Sequence, residues 1–150
     1  ISRSVPVTIN YSGMARDLGI DRDDLPKYLE YLEKAELVSA LGMKANGDAI
    51  LRKMDKLYLH NPNIAYVLSG GKADVGNARE TIFFCWTKER FNTLESPISD
   101  FEIDGKTFEL GGRKKGKKQI TDAKEGYVVK DNIEYVFDNQ IPLWMFGFLY

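Results

Sequence analysis

The chain has 150 residues, room for one ordinary domain or two small ones, and at 43% hydrophobic and 29% charged it has the composition of a soluble globular protein with a core. A formal charge of −1 points to no polyanionic or polycationic partner by itself. One cysteine, Cys85, excludes a disulfide framework, and no apolar run approaches the roughly 18 residues of a membrane span, so a cytoplasmic chain with no membrane partner is expected.

The chain opens at Ile1 rather than at methionine and already in mid-pattern, so it reads as a piece of something longer. Residues 11–19 predict a short amphipathic helix closed by Gly19. Asp21 or Asp23 then caps a second helix that tolerates Pro26 in its first turn. Leu25, Tyr28, Leu29, Leu32 and Ala35, at steps of three and four, give it one apolar stripe. A strand over Leu37–Met43, a polar turn at Ala45–Asp48 and a strand over Lys56–Leu59 follow. Helix, turn, helix and a two-stranded wing is the order of a winged-helix module. Its outward face holds Asp23, Asp24, Lys27, Glu30, Tyr31, Glu33 and Lys34, more acid than base, which is the wrong balance for a helix that approaches phosphates. His60, at a strand end without a second ligand at metal spacing, is expected to be structural.

Asn61-Pro62-Asn63 ends the wing, Ile64–Leu68 makes a helical turn, and Gly70-Gly71 marks a boundary between residues 1–71 and 72–150. A long helix is predicted over Asp74–Phe91, burying Val75, Ala78, Ile82, Phe83, Cys85 and Trp86, with Cys85 a small buried hydrophobe. Glu80 on this helix is either paired with a surface cation or pointed into a site. The Asp104-Gly105 turn joins two short alternating segments into a type I′ hairpin, pairing Ile103 with Lys106, Glu102 with Thr107 and Phe101 with Phe108. The same register sets Asp100 opposite Glu109, and two carboxylates facing each other ask for a cation between them. Gln119–Glu125 predicts a short helix, Tyr127–Lys130 and Ile133–Phe137 strands, and the closing IPLWMFGFLY a core strand or docking tail. The whole is α+β.

Two constellations carry chemistry. Gly111–Lys118 matches the nucleotide-binding pattern GxxxxGK[ST] except at its last position, where Lys118 cannot offer a hydroxyl to Mg²⁺, so no ATP site is read here. Asp100 and Glu109 could instead hold a divalent metal, Mg²⁺, beside a scissile phosphate. A lysine two residues after the Glu would share its face, but Gly111 stands there. Arg113 is the next same-face cation, able to neutralise charge but not to act as a base. Lys114, Lys115, Lys117 and Lys118 would follow a nucleic-acid backbone, and Gln119 would orient a water. The bland alternative is an Arg113 bridge between Asp100 and Glu109 with a merely solvated loop; composition and spacing leave both open.

The segments PKYLEYLEKAELV, LRKMDKLYLHNPNIAYVL, GNARETIFF, DFEIDGKTFELGGRKKGKKQI and IPLWMFGFLY resemble, in order and spacing over nearly the whole chain, the domain of unknown function that follows the ATPase core in a bacterial family of AAA+ type ATPases. The resemblance implies a winged-helix module followed by a restriction-endonuclease-like α/β domain of the PD-(D/E)xK type. It implies Glu80 as the helix carboxylate, Asp100 as the motif aspartate and Glu109 as the (D/E), with Arg113 or Lys114 replacing the unmatched motif lysine. It also implies an ATPase domain before Ile1, from which no residue carries over, and a region that binds or cleaves DNA with Mg²⁺, a homo-oligomer being compatible with this. The alternative is a non-catalytic protein-interaction module with a degenerate nuclease fold.

Overall fold

A computed structural model describes residues 5–42 and 54–149. The predicted turn at Ala45–Asp48, the strand end at Met43 and the terminal Tyr150 lie outside the described residues.

The first half is built from β1 (Val7–Thr8), α1 (Tyr11–Leu18), α2 (Leu25–Lys34), β2 (Val38–Gly42), β3 (Met54–Leu59) and α3 (Pro62–Leu68). The Asn10 side chain accepts from the Gly13 N–H and starts α1, while Gly19, at φ 66°, ends it in the left-handed conformation that glycine adopts without a Cβ penalty. Asp24, not Asp21 or Asp23, occupies the cap position of α2, and its side chain makes no capping bond. Asp21 instead closes a local turn by accepting from the Asp23 N–H at 2.9 Å. The apolar stripe of α2 is also narrower than its spacing suggests: Leu25 and Leu29 are buried, but Tyr28 and Ala35 are exposed. Pro6–Thr8 shows no sequence signal of its own, yet β1 pairs with β3 and completes a three-stranded antiparallel sheet ordered β1-β3-β2.

Strand periodicity divides β3 between two cores. Leu57 and Leu59 pack with Val5, Ala15, Leu25, Leu29 and Val38 against the helices of the first half. Tyr58, on the opposite face, joins Leu41, Phe83, Phe84, Phe101, Phe108, Leu110 and Val129 in the second core.

That face is covered by α4 (Val75–Thr87), capped at Asp74, whose side chain accepts from the Asn77 N–H at 2.8 Å. The helix ends earlier than expected, and Val75 at its start is exposed rather than buried. Its buried threonines bond back to the turn before: Thr81 to the Asn77 carbonyl and Thr87 to the Phe83 carbonyl, which removes the cost of an unpaired buried hydroxyl. Glu80, Phe84 and Lys88 fall four residues apart on one stripe, and all three meet the first sheet.

Beyond α4 lie β4 (Thr93–Glu95), β5 (Phe101–Ile103), β6 (Lys106–Gly111), β7 (Gly126–Lys130) and β8 (Gln140–Pro142), side by side in that order. β4, β5 and β6 are antiparallel; β6, β7 and β8 are parallel. The hairpin register is Phe101↔Phe108, Glu102↔Thr107 and Ile103↔Lys106, and positive φ at Asp104 and Gly105 suits the type I′ turn. Two expectations fail here. Gln119–Glu125 is not a helix; a single 3-10 turn spans Lys118–Ile120. Ile133–Phe137 is not a strand; Tyr135, Val136 and Phe137 are exposed between Asn132 and Asp138, both at positive φ. The terminal apolar residues form β8 and a 3-10 segment, Leu143–Phe148, with Phe146 against Phe83 at 4.7 Å between ring centroids. The architecture is α+β with two sheets. Among the described residues no helix is long and apolar enough to cross a membrane.

Candidate functional site

The carboxylates of the hairpin and of α4 converge. Glu109, on β6, is 1% exposed; its carboxylate accepts from the Ser99 hydroxyl and forms an ion pair with the Lys115 ammonium. Asp100, just before β5, accepts from the Leu110 N–H at 2.7 Å. Glu80, on α4, accepts at 3.1 Å from both the Lys56 ammonium and the Tyr58 hydroxyl of β3. Burial pushes the Asp100 carboxyl up to about 6; the Leu110 N–H and Lys56 oppose the rise, while Glu80 and Glu109 add to it. Burial also raises the Tyr58 phenol far above its ordinary range, with Glu80 adding to the rise, so it is a neutral donor.

The cation beside Glu109 is therefore Lys115 and not Arg113. Gly111 explains how Lys115 reaches it. A Cβ at position 111 would lie 2.5 Å from both Cβ and Cγ of Lys115, so the lysine stem crosses the strand end where only a hydrogen can stand. Arg113 is exposed, and its backbone carbonyl accepts from the buried Lys130 ammonium at 3.3 Å. Lys114, Lys118 and Gln119 are exposed, and Lys117 forms an ion pair with Asp138. Beside the loop, Arg79 of α4 holds Asp131 at 2.5 Å, fixing the helix to the end of β7.

Sequence reasoning named Glu80, Asp100 and Glu109, and the fold gathers them into one neighbourhood. It missed Lys56 and Tyr58 because they come from the other half of the chain, although a lysine two residues before a tyrosine on one wing strand was visible. Ser99 carries no signal in the sequence, and Lys115, expected on a nucleic-acid backbone, is turned inward onto Glu109 instead. Cys85 is half-buried, gives its S–H to the His60 carbonyl, and has its thiol pushed by burial up to about 11, which makes it a poor nucleophile.

Residues 2–75 match the family model described as a domain of unknown function (DUF8612). No curated protein and no solved structure matches the chain. The matched stretch contains the first sheet and its helices, and it ends as α4 begins, so Glu80, Asp100 and Glu109 all lie beyond it.

The residues do not fit a resident divalent ion as they stand. Mg²⁺ takes oxygen ligands at about 2.0–2.1 Å from several groups at once. Both Glu109 oxygens are engaged, by Ser99 and Lys115, and one oxygen each of Asp100 and Glu80 is engaged by Leu110 and by Lys56 with Tyr58. Among the described residues, no group of three or more His, Cys, Asp or Glu could hold a metal ion.

Proposed function

We propose that the chain is the accessory region that follows the ATPase core of an AAA+ type ATPase, with residues 1–71 a winged-helix module and residues 72–150 a degenerate nuclease-like domain that binds nucleic acid without cutting it. The observation that carries this reading is the Lys115 ammonium on the buried Glu109 carboxylate, passing over Gly111. An acidic centre neutralised by the chain's own lysine holds its charge balance without Mg²⁺, which supports binding over cleavage. The order of elements supports the fold reading: helix, hairpin and a parallel crossover strand, with one acid on the helix, one just before the first hairpin strand and one on the second. Arg113, Lys114 and Lys118 remain outward and supply the contacts to phosphate.

The test is the salt dependence of DNA affinity, read by fluorescence anisotropy. Replacing Lys114 and Lys118 with Ala should weaken binding and lower the slope of log affinity against log salt by roughly 0.7–0.9 per lost contact. An unchanged slope would remove the loop from the account.

A protein-docking role is the second reading, favoured by the exposed rings of Tyr135, Phe137, Trp144 and Phe148. In that case Tyr135→Ser with Phe137→Ser would abolish co-elution with the ATPase core on size exclusion and leave the behaviour of the basic loop unchanged.

A further inference from the structure

A second polar cluster lies on the far end of the same α4 stripe, away from the carboxylates. Lys88, at the C-terminal cap of α4, places its ammonium 2.9 Å from the Ser39 hydroxyl of β2 and 3.1 Å from His60 Nδ1 at the end of β3. Ser39 Oγ is itself 3.2 Å from His60 Nδ1. Ser39 is 1% exposed and the Lys88 side chain 18%. Thr93, at the start of β4, faces the same cavity, is 9% exposed, and its buried hydroxyl has no hydrogen-bond partner among the described residues. The cavity has a volume of about 420 Å³, within the range of small-molecule sites.

Counting donors and acceptors shows what is left over. An ammonium only donates, so His60 Nδ1 must accept from Lys88, and its proton resides on Nε2. Lys88 has three protons and three acceptors: Ser39 Oγ, His60 Nδ1 and, at 3.4 Å, the Glu89 carboxylate. Nδ1 has a single lone pair, and Lys88 uses it. The Ser39 hydroxyl proton is then without an acceptor in the cluster, and so is that of Thr93. Two spare hydroxyl donors beside a partly buried ammonium are the complement of an oxyanion. The cavity rim is acidic. Glu33, whose carboxylate accepts from the Ala40 N–H at 3.0 Å, Glu36 and Glu89 outnumber Lys34 there and would repel a long polyanion laid across the rim.

We infer that the cavity between α4, β2 and β4 is a binding site for a small oxyanion, the carboxylate or phosphate of a low-molecular-weight ligand, held by the Ser39 and Thr93 hydroxyls beside the positive charge of Lys88. It is separate from the nucleic-acid reading of the basic loop, and its rim excludes the polymer proposed to bind there.

The experiment is a ¹H–¹⁵N chemical-shift titration of the chain, with inorganic phosphate in one arm and acetate in the other, each against sodium chloride at equal ionic strength. Saturable shifts confined to the amides of Ser39, Ala40, His60 and Lys88–Thr93 are expected in at least one arm, and the arm with the lower half-saturation names the ligand's headgroup. Thr93→Val keeps the shape and removes the hydroxyl, and should raise the half-saturation concentration roughly three- to tenfold. Lys88→Met should raise it more than about tenfold, since the positive charge beside the bound anion is lost. Because the spectrum itself reports folding, a variant that keeps dispersed signals and still binds as before overturns the site. Shifts that do not saturate in either arm, or that fall on Arg113–Lys118 instead, also overturn it.

Discussion

Replacing Lys115 with Met should cost the protein much of its stability, and restoring neutrality at Glu109 should return most of it. Glu109 is 1% exposed, so without Lys115 its charge is buried with, among the described residues, the Ser99 hydroxyl alone to compensate. Removing one partner of a fully buried pair costs about 3–5 kcal/mol. Lys115 is 34% exposed, and solvent already screens part of the interaction, which places the loss nearer about 2–3 kcal/mol. For a chain of this length that is a fall in Tm of roughly 4–12 °C. Glu109→Gln alone should cost less, about 1 kcal/mol, because the lysine it strands can turn to water and the amide oxygen still accepts from Ser99. Together the two substitutions should lose about 1 kcal/mol, clearly less than the sum of the single ones, a coupling of about 2–3 kcal/mol. Urea denaturation of the four proteins at one pH measures this. Losses that add within about 0.5 kcal/mol would refute the pairing as the element that neutralises Glu109.

Two further expectations follow from the same neighbourhood. Asp100 titrates near 6 in the folded chain against 3.8 when unconstrained, so the folded state binds its proton more tightly. Its contribution is fully present below about pH 3.8, declines as pH rises to about 6 and is flat above. Asp100→Asn keeps the acceptor for the Leu110 N–H and should raise stability at pH 7 relative to pH 4 by about 2–3 kcal/mol compared with the unmodified chain. A difference between the two proteins that does not change from pH 4 to 7 would contradict the shift. Gly111→Ala should displace the Lys115 stem and cost about 1–3 kcal/mol, and most of that loss should vanish when Lys115 is Gly. A persistent loss would place the strain elsewhere.

The sequence carried the hairpin register from Phe101↔Phe108 to Ile103↔Lys106, since a two-residue turn of Asp104-Gly105 and period-two alternation fix register locally. It carried α1 and the body of α4 for the same reason, because caps and apolar spacing are short-range signals. It did not carry β1, two residues long and paired with β3, nor the exposed state of Tyr135–Phe137, where alternation mimics a strand that the sheet has no place for. At the site, the acids were legible as residue types at hairpin spacing. The cation was not: Lys115 and Arg113 are two residues apart, and only the path over Gly111 decides between them. Lys56 and Tyr58 come from 22–24 residues before Glu80, a separation over which spacing carries no information.

Incubation with linear and branched DNA in the presence of Mg²⁺, alongside Asp100→Ala, tests the central claim most directly. A centre already neutralised by Lys115 predicts that DNA is retained and that both proteins leave it uncut to the same extent. Cleavage by the unmodified chain that disappears in Asp100→Ala would contradict that claim and make Asp100 and Glu109 a working metal site.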